Sequence, residues 1–420
     1  MTGRPARLLI LTGDPSADQH AAHLVSCLQQ RSPELSIEAV GGAALAECGV
    51  SVVATPPALQ YVGLAGPADI VRHALLALKI IEHVRRHRPG LILMIDYGGF
   101  HLKLAQELKT RLGRQCPLIH YWIPPQLWAS RPWRINAIRR WVDHVYCIFP
   151  FEEALYRRHG VSVTDTGHPL AAGLPARAER TAFCAANGLQ PDKPVVGLFP
   201  GSRAREVTRL LPVMLASLPH IQAARPDAQF AIAQAPNFTD EQFNHWLKKA
   251  AAAEALPSIH IIRNQNHGLL STADAVMVAS GTVTLEAALY DTPMVLMYHI
   301  APWLMPVFRW ICQVPYIGLP NLLAPDVLPD KQNPPAPIVP ELLGADLTPE
   351  KLAGALLPLL DPDSPESRNA HAGFTAIRNK MAAGAENPVA RLAQGIRETL
   401  NLETTAASLS AGHPASAGRH

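Results

Sequence analysis

The sequence predicts an α/β protein with two domains in tandem, each built on a doubly wound parallel sheet. Short apolar runs typical of strands alternate with helical stretches, and this alternation implies a parallel sheet. The run LILMID at residues 91–96 is apolar almost throughout, which is the pattern of a strand buried on both faces. The alternation stops at residues 169–180, where two prolines lie among small residues, and then begins again.

In the first half, strands and helices are predicted in regular succession. Residues 69–87 give the clearest helix, because apolar residues recur on one face and basic residues on the other. The predicted strands are residues 8–12, 36–41, 50–54, 91–96, 118–123 and 145–149. The predicted helices are residues 16–30, 69–87, 101–112 and 134–142.

The same succession returns after the break and ends in helices. The predicted strands are residues 195–199, 230–235, 259–263, 275–279 and 294–298. The predicted helices are residues 204–218, 240–255, 281–290, 350–360, 366–382 and 388–400. A proline-rich stretch at residues 322–340 predicts an ordered loop or a spacer, and ligands are expected at the carboxyl ends of the strands.

Length and composition narrow the class of protein. A chain of 420 residues fits two domains, and 48% hydrophobic against 17% charged residues indicates a globular chain. A net charge of +3 is too mild to indicate a nucleic-acid partner. The six cysteines form no C-x-x-C pair, so no metal or redox motif is predicted. The apolar run at residues 8–11 is too short for a signal peptide and no stretch suits a spanning helix, so a cytoplasmic location is expected.

The strongest local signal is FPGSRARE at residues 199–206, where a strand ends and a turn of small residues opens a helix. Gly201 permits close approach of a ligand to the backbone, Ser202 can cap the helix, and the helix N-terminus attracts an anion. Arg203 adds a forked donor that suits a diphosphate. The alternative is an ordinary capped helix start.

A second turn, ASGTVTLE at residues 279–286, also follows an apolar strand. Ser280, Gly281 and Thr282 would expose backbone N–H groups, which suit a diphosphate. Glu286 lies one helical turn further on, in an apolar helix, where a plain solvated carboxylate is less expected. Two such turns in one domain predict a nucleotide-diphosphate site.

These two turns, followed by LPNLL at residues 319–323, resemble the lipid-A-disaccharide synthase family over about residues 6–400. The resemblance implies a GT-B fold, in which two Rossmann-like domains have parallel sheets that face an interdomain cleft. It implies an inverting transfer of 2,3-diacylglucosamine from UDP to 2,3-diacylglucosamine 1-phosphate, yielding the β-1,6-linked lipid A disaccharide 1-phosphate and UDP. We expect a metal-independent enzyme without a cofactor, because an arginine and the helix N-termini can take the place of a divalent cation at the diphosphate.

The resemblance also assigns roles to segments of the chain. Residues 1–175 are expected to bind the acceptor and the membrane, and residues 181–385 the UDP-sugar. Residues 386–402 are expected to form a helix that crosses back, and residues 403–420 a disordered tail. The family implies peripheral association with the cytoplasmic side of the inner membrane and a homodimer that exchanges C-terminal segments.

Site residues follow from matching the family's motifs position by position. Asp96 ends the strongest apolar strand and is the expected base for the acceptor's 6-hydroxyl, with a structural carboxylate as the alternative. The expected UDP ligands are Ser202, Arg203, Ser280, Gly281, Thr282, Glu286 and Asn321. The expected acceptor ligands are Gly13, Ser16, Asp18, His120 and Trp128. The chain departs from the family pattern at Asp14, Ala17, Gly99, His101 and Pro124, and the departures at Gly99 and His101 lie in the motif that contains the expected base.

Two further segments suggest contact with lipid. Residues 128–141 combine tryptophans with arginines, which suits anionic head groups or, alternatively, a solvated face over a tryptophan core. Residues 302–315 are apolar around one arginine and would either join the core or contact acyl chains.

Other functions remain open at this stage. A UDP-N-acetylglucosamine 2-epimerase or a peptidoglycan-precursor transferase would use a similar diphosphate site on the same scaffold. A non-catalytic protein that binds lipid or nucleotide-sugar is a further alternative, as is the same reaction on an altered lipid.

Overall fold

The computed structural model describes residues 6–56, 67–170, 174–251, 256–382 and 387–402. The chain divides into two compact units, one composed of three segments of the chain and the other of two. Unit 1 comprises Met1–Leu127, Trp133–Ala172 and Glu386–His420, and unit 2 comprises Trp128–Pro132 and Gly173–Ala385. The predicted tail at residues 403–420 and the last residues of the helix predicted to end at 255 lie outside the described residues.

Unit 1 contains a seven-stranded sheet. Its strands β1 to β7 are Arg7–Leu11, Ser36–Val40, Ser51–Ala54, Leu91–Ile95, Leu118–Trp122, His144–Cys147 and Val163–Asp165. All neighbours are parallel, in the order β3-β2-β1-β4-β5-β6-β7. The strand order reverses between β1 and β4, so the switch point of this sheet lies between them. Every residue of β4 is buried, as its apolar sequence predicts.

Unit 2 contains a six-stranded sheet with the same kind of order. Its strands β8 to β13 are Val195–Phe199, Gln229–Gln234, Ile259–Arg263, Ala275–Ala279, Met294–Tyr298 and Glu341–Leu343. All neighbours are parallel, in the order β10-β9-β8-β11-β12-β13. The switch point of this sheet therefore lies between β8 and β11.

Helices connect the strands and cover the sheets. Helices α1 to α6 are Pro15–Arg31, Ala43–Glu47, Pro67–His87, Gly98–Leu112, Arg134–Trp141 and Pro150–Arg158. Helices α7 to α15 are Arg180–Ala186, Ala204–Ala224, Asp240–Ala250, Asn266–Thr272, Thr282–Leu289, Met305–Ile311, Leu319–Leu323, Pro349–Leu356 and Pro365–Ala382. The last helix, α16, is Pro388–Thr399 and belongs to unit 1.

Local sequence explains where several helices begin and end. Asp14 caps α1 by accepting from the Ala17 amide at 2.8 Å, and Pro15 occupies the first helical position, where its missing N–H is harmless. Helix α8 was predicted to end at residue 218, but it continues to Ala224 through Pro219. Ile221, beyond the proline, is fully buried, so packing against the core favours the extra turn although Pro219 donates no backbone hydrogen bond.

The final helix completes the core of unit 1. Leu392 and Ile396 of α16 are fully buried, and each contributes on the order of 1.5–3 kcal/mol to folding. Arg397 is also buried, and its Nε donates to Ser32 Oγ, which lies just after α1, at 2.8 Å. This contact joins residues that are 365 positions apart in the chain.

The predicted pair of parallel sheets is confirmed by this architecture. The sequence missed β7 and β13, because strands of three residues are too short for a readable periodicity. Within the described ranges, none of the helices combines the length and the hydropathy that crossing a bilayer requires.

Candidate functional site

Two strand–helix turns meet at the switch point of unit 2. Strands β8 and β11 are hydrogen-bonded neighbours, with Phe199 opposite Val278, so the turns that follow them start side by side. A β-carbon added at Gly201 would lie 3.4 Å from the β-carbon of Ala279. The fold therefore brings together the two glycine-containing turns that the sequence singled out.

The first turn requires its glycine. Gly201 has a φ of +110°, and a β-carbon there would lie 2.5 Å from Glu206 Oε2. Arg203 occupies the position before α8, and its Nη1 donates to Glu206 Oε1 at 2.7 Å while the side chain stays 55% exposed. The carbonyl of Ser202 accepts from Asn237 Nδ2 at 2.9 Å. A guanidinium is thus held at the N-terminus of α8.

The second turn, at residues 280–282, is open to solvent at Gly281 and Thr282. The Ser280 amide donates to the Met297 carbonyl at 3.0 Å, which ties the start of the turn to β12. Gly281 and Thr282 are exposed, and a β-carbon at Gly281 would meet no atom within 4 Å. No side chain caps the start of α11 among the described residues. Its first backbone N–H groups are therefore available to an anion.

Glu286 lies in the second turn of α11 and is mostly withdrawn from solvent. Burial raises the pKa of its carboxyl to about 7, because the charged form loses hydration. Within the described residues, the carboxylate has no hydrogen-bond or ion-pair partner. A group in this state gains most from a ligand that donates hydrogen bonds to it.

The switch point of unit 1 is built around Asp96, which directly follows β4. Asp96 and Tyr97 both adopt left-handed backbone conformations, with φ of +49° and +57°. The Asp96 carbonyl accepts from Tyr121 OH and from His101 Nδ1, each at 2.7 Å. Its Oδ1 accepts from the Tyr97 amide at 2.6 Å. Two such residues in sequence cost on the order of 1–3 kcal/mol each, so the surrounding contacts hold the carboxylate in place.

His101 stands where the family pattern has asparagine, and the structure explains how histidine fits. The side chain is 1% exposed, and burial lowers its pKa to about 4, so the ring is neutral. Because Nδ1 faces a carbonyl, the proton lies on Nδ1 and is donated to Asp96. The substitution therefore retains a donor behind the candidate base.

Tyr97 is a residue of the unit 1 switch point that the sequence interpretation did not single out. A β-carbon on Gly13 would lie 2.0 Å from Tyr97 Cγ, so the ring covers the turn after β1. His73 of α3 donates from Nδ1 to the Asp69 carbonyl at 2.6 Å, and its Nε2 accepts from Tyr97 OH at 2.5 Å. Burial raises the Tyr97 pKa to about 12, which keeps the hydroxyl protonated. Its position next to Asp96 was the available signal.

Asp18 is buried, and both oxygens of its carboxylate accept hydrogen bonds from backbone amides. Its Oδ1 accepts from the Gly42 amide at 2.7 Å, and its Oδ2 accepts from the Ala44 amide at 3.0 Å. Thr12 Oγ1 lies 3.4 Å from the same carboxylate. Asp18 therefore fixes the start of α2 against α1. Ser16, by contrast, is exposed in the first turn of α1.

Known proteins resemble this chain along most of its length. Residues 8–395 match the family model described as lipid-A-disaccharide synthetase. A lipid-A-disaccharide synthase of Coxiella burnetii (strain Dugway 5J108-111) is 36% identical over 357 residues, which are 84% of this chain and 89% of the relative. That of Myxococcus xanthus (strain DK1622) is 32% identical over 397 residues, or 94% and 98%. The chain belongs to the lipid-A-disaccharide synthetase family. The resemblance inferred from the motifs is confirmed, and the chain is a glycosyltransferase of lipid A biosynthesis.

Solved structures share the fold of this family member at low sequence identity. The UDP-GlcNAc 2-epimerase from Neisseria meningitidis, bound to UDP-GlcNAc, has a TM-score of 0.60 and 11% identity, and the match covers 94% of this chain and 100% of that one. The S. aureus MnaA–UDP co-structure has a TM-score of 0.59 and 12% identity, with 95% and 98% covered. At these identities the likeness shows a GT-B-like fold and no more.

The family-matched Asn321 is buried and saturated with hydrogen bonds. Its Oδ1 accepts from the amides of Ile338 and Val339 at 2.8 and 3.0 Å. Its Nδ2 donates to the Val339 carbonyl at 2.9 Å and to Glu341 Oε1 at 2.8 Å. An amide side chain has capacity for about four such bonds, so no side-chain donor is left for a nucleotide. Asn321 joins α13 to β13.

His120 lies away from Asp96 although both belong to unit 1. Side chains alternate between the faces of β5, and the neighbouring Tyr121 is the one that contacts Asp96. His120 instead lines a cavity of about 870 Å³ with His144, Tyr146 and residues of α16. Burial lowers its pKa to about 4, and Nδ1 has no partner among the described residues.

Trp128 belongs to a short segment that is part of unit 2. The chain leaves unit 1 after Leu127 and returns to it at Trp133. Within unit 2, Ser130 forms an isolated antiparallel bridge with Cys312, and the Gln313 amide donates to the Ala129 carbonyl at 2.9 Å. Trp128 itself is 7% exposed. The predicted acceptor residues Gly13 and Trp128 thus lie in different units.

Proposed function

We propose that the chain transfers 2,3-diacylglucosamine from UDP to the 6-hydroxyl of 2,3-diacylglucosamine 1-phosphate. The products are the β-1,6-linked lipid A disaccharide 1-phosphate and UDP. The observation that carries the proposal is the meeting of two glycine-containing turns at the switch point of unit 2. Two solved structures with this fold, one bound to UDP-GlcNAc and one to UDP, support a uridine nucleotide as the leaving group.

Unit 2 would hold the donor through charge and backbone amides. Arg203 and the start of α8 would bind one phosphate, and the uncovered amides at Gly281 and Thr282 would bind the other. Ser202 and Ser280 would shape the two turns. Glu286 would accept hydrogen bonds from the ribose hydroxyls, which would supply the partners that its carboxylate lacks within the protein. We assign Asn321 a supporting role, because its amide already holds α13 and β13 together.

Asp96 would act as the base in unit 1. As the 6-oxygen of the acceptor attacks the anomeric carbon, its proton passes to the Asp96 carboxylate. The bond between the anomeric carbon and the phosphate oxygen breaks, and UDP leaves with the electron pair. The approach from the face opposite UDP inverts the anomeric configuration. Arg203 and the helix N-termini would stabilise the charge that develops on the diphosphate, so the step needs no metal ion.

The acceptor would bind beside the turn that holds Gly13. The exposed Ser16 hydroxyl is placed to bind the acceptor, while Asp18 would act indirectly by fixing the backbone at Gly42. His120 and Trp128 stay predictions as acceptor ligands. His120 lines the cavity of unit 1 and Trp128 belongs to unit 2, and these positions favour indirect roles.

The surface of α3 favours contact with the cytoplasmic face of the inner membrane. Val71, Leu75 and Leu78 recur at helical spacing, with exposed fractions of 58%, 60% and 49%. Arg72 and Lys79 lie exposed on the same helix, where they would attract anionic lipid. An exposed apolar stripe flanked by bases is typical of a helix that lies on a membrane surface.

Helix α12 of unit 2 shows a similar surface. Trp303, just before it, and Trp310 are 73% and 76% exposed, so the segment does not join the core. Tryptophan suits the head-group level of a bilayer, and we propose that this segment also contacts lipid.

UDP release tests the reaction. The donor and the acceptor are supplied together in detergent micelles, and the wild-type chain is compared with Asp96→Ala. Acceptor-dependent release that Asp96→Ala abolishes would support both the reaction and the base. Release that survives in the variant would assign the proton transfer to another residue. An absence of release by wild type, with UDP still bound, would contradict the substrate pair.

Sedimentation with vesicles tests the membrane surface. Wild type and the triple variant Val71→Ser, Leu75→Ser, Leu78→Ser are mixed with vesicles that contain anionic phospholipid. We expect the triple variant to bind less while it keeps its activity in micelles. Equal binding by both proteins would contradict the role of α3.

A further inference from the structure

A group of three potential metal ligands lies outside the residues used above. Glu38 is in β2, and His83 and His87 follow one turn apart near the end of α3. His83 Nε2 lies 3.2 Å from Glu38 Oε2, and His87 Nδ1 lies 3.7 Å from Glu38 Oε1. One ligand atom from each residue lies within 4.8 Å of the other two. In the described part of the chain, no other trio of histidine, cysteine or carboxylate side chains comes this close.

The residue types and spacing suit zinc. Two histidines at i and i+4 present their rings on one face of a helix, and a carboxylate from another element adds an oxygen ligand. In a tetrahedral site with bonds of about 2.0–2.1 Å, ligand atoms lie about 3.4 Å apart. The distances from His83 Nε2 to Glu38 Oε2 and from His87 Nδ1 to Glu38 Oε1, 3.2 and 3.7 Å, are close to this value, although each histidine faces a different oxygen of the carboxylate. The His83 and His87 rings are nearly parallel, with centroids 4.1 Å apart, so small rotations would bring both nitrogens to one ion.

The three ligands are held on rigid elements. Glu38 is in the interior of the sheet, paired with Leu9 of β1 and Ser51 of β3. Val84 of α3 is 1% exposed and fixes the helix against the core between the two histidines. Arg7 Nη1 donates to the His87 carbonyl at 3.1 Å and so holds the end of α3. Ligands on packed helices and strands need little reorganisation when a metal binds.

Burial and access also suit a bound ion. The side chains of His83 and Glu38 are 12% and 19% exposed, while that of His87 is 43% exposed. The site is therefore partly desolvated, which strengthens metal–ligand bonds, and it is reachable from solvent past His87. Three protein ligands leave the fourth tetrahedral position to water. A Glu38–His83 ion pair alone would explain one contact, but it would not require His87 to face the same carboxylate.

We propose that Glu38, His83 and His87 form a zinc site that fastens the end of α3 to β2. The ion would be bound by the two imidazoles, one carboxylate oxygen and a water molecule. None of the three residues belongs to the machinery proposed for sugar transfer, so we expect the ion to affect the stability of unit 1 and not the transfer itself. The inference therefore stands or falls separately from the proposed function.

Metal titration of the full-length, tag-free protein tests the proposal. The protein is stripped with a chelator, and ZnCl₂ is added in a calorimeter while CoCl₂ is added in a spectrophotometer. We expect one equivalent of zinc to bind, and cobalt to give the intense visible bands of a four-coordinate site. Saturation at 100 times Kd should raise the melting temperature by about 5–10 °C, since the ion binds the folded state.

Three single variants and one matched control decide which residues bind the ion. Glu38→Gln, His83→Gln and His87→Ala should each weaken zinc binding by at least about 100-fold and remove the cobalt bands. His220→Gln serves as the control, because His220 faces Glu350 at 4.0 Å without a second histidine. His87 is the most exposed of the three, so His87→Ala tests the site even where the other variants fold poorly. Absence of one-equivalent binding by wild type, or binding that these variants retain, would overturn the proposal.

Discussion

The switch points of the two units share a strand topology but differ in the groups that line them. In both, the order of strands reverses between the first strand and the fourth, and two strand–helix turns meet there. In unit 1, Tyr97 covers Gly13, and a carboxylate follows the fourth strand. In unit 2, Gly281 is uncovered, and Arg203 lies at the neighbouring helix start.

This difference shows which features a Rossmann-like strand–helix turn needs to bind an anion and which it needs to hold a base. An anion site needs exposed backbone N–H groups, so the turn must stay free of side chains. The proposed base needs a carboxylate held in one orientation, and the left-handed backbone at Asp96 and Tyr97 provides this at a cost in strain. The same topology thus supports a negative group in one unit and a positive site in the other.

The largest effect is expected from removing the carboxylate of unit 1. Asp96→Asn should lower the turnover number about 10²- to 10⁴-fold, the range that a general base contributes. The affinity for UDP should not change, because Asp96 belongs to the other unit. Turnover assays and UDP calorimetry measure the two quantities. Glu34→Gln, an exposed carboxylate of unit 1, is the control. Equal losses in both measurements would contradict the division of roles.

Removing the cation of unit 2 should give the next largest effect. Arg203→Ala should lower kcat/KM about 10²- to 10³-fold, since one preformed donor to the developing charge is lost. Arg203→Lys should recover part of it, because lysine keeps the charge without the forked geometry. The control is Arg225→Ala at the other end of α8, where the surface pair with Asp227 contributes little. Full activity in Arg203→Ala would remove Arg203 from the site.

One substitution made in both units sharpens the comparison. Gly13→Ala should destabilise folding by about 1–3 kcal/mol, because the new methyl group collides with Tyr97. A methyl group at Gly281 would meet no atom within 4 Å, so Gly281→Ala should destabilise folding less, by about 1 kcal/mol through its backbone φ of +159° alone, and it should weaken UDP binding. Thermal unfolding and UDP calorimetry separate the two. Equal destabilisation by both substitutions would show that neighbouring side chains cover the two turns to the same extent.

The smallest effect concerns pH and Glu286, whose pKa burial raises to about 7. UDP affinity should rise about fivefold as pH increases through 7, because an ionised acceptor binds hydroxyls about 1 kcal/mol more strongly. Glu286→Gln should lose this dependence, and it also controls for titration of UDP itself. A profile that is the same in both proteins would exclude the contact.

The same shift predicts the sign of a stability change. Between pH 4.5 and about 7, the folded state binds more protons at Glu286 than the unfolded state does. Its contribution to stability is therefore full below pH 4.5 and declines as pH rises towards 7. Glu286→Gln should raise the melting temperature more at pH 8 than at pH 4, relative to wild type.

The sequence predicted what depends on local pattern and missed what depends on distant contacts. The apolar run of β4 and the turns at Gly201 and Gly281 could be predicted, because buried strands and helix starts have local sequence patterns. The partners of Asp18 and Asn321 were not readable. Asp18 bonds to backbone 24 and 26 residues away, and Asn321 to groups 17 to 20 residues away. No local pattern indicates whether such a buried polar side chain binds a ligand or holds distant parts of the chain together.

Tyr97 shows the same limit in another form. Its covering of Gly13 depends on a left-handed residue between β4 and α4, which no sequence rule predicts for aspartate followed by tyrosine. Its hydrogen bond to His73 depends on where α3 packs. Residues next to a predicted base are therefore worth inspecting even when no motif names them.

The position of α16 at the end of the chain has a consequence for biosynthesis. The ribosome makes most of unit 1 first, then nearly all of unit 2, and only then the helix that completes unit 1. At ~5–20 residues per second, the segment that intervenes takes about 10–40 s to emerge. During that time the surface that later receives Leu392 and Ile396 is exposed to water. The half of the protein that is translated first is thus the half that finishes folding last.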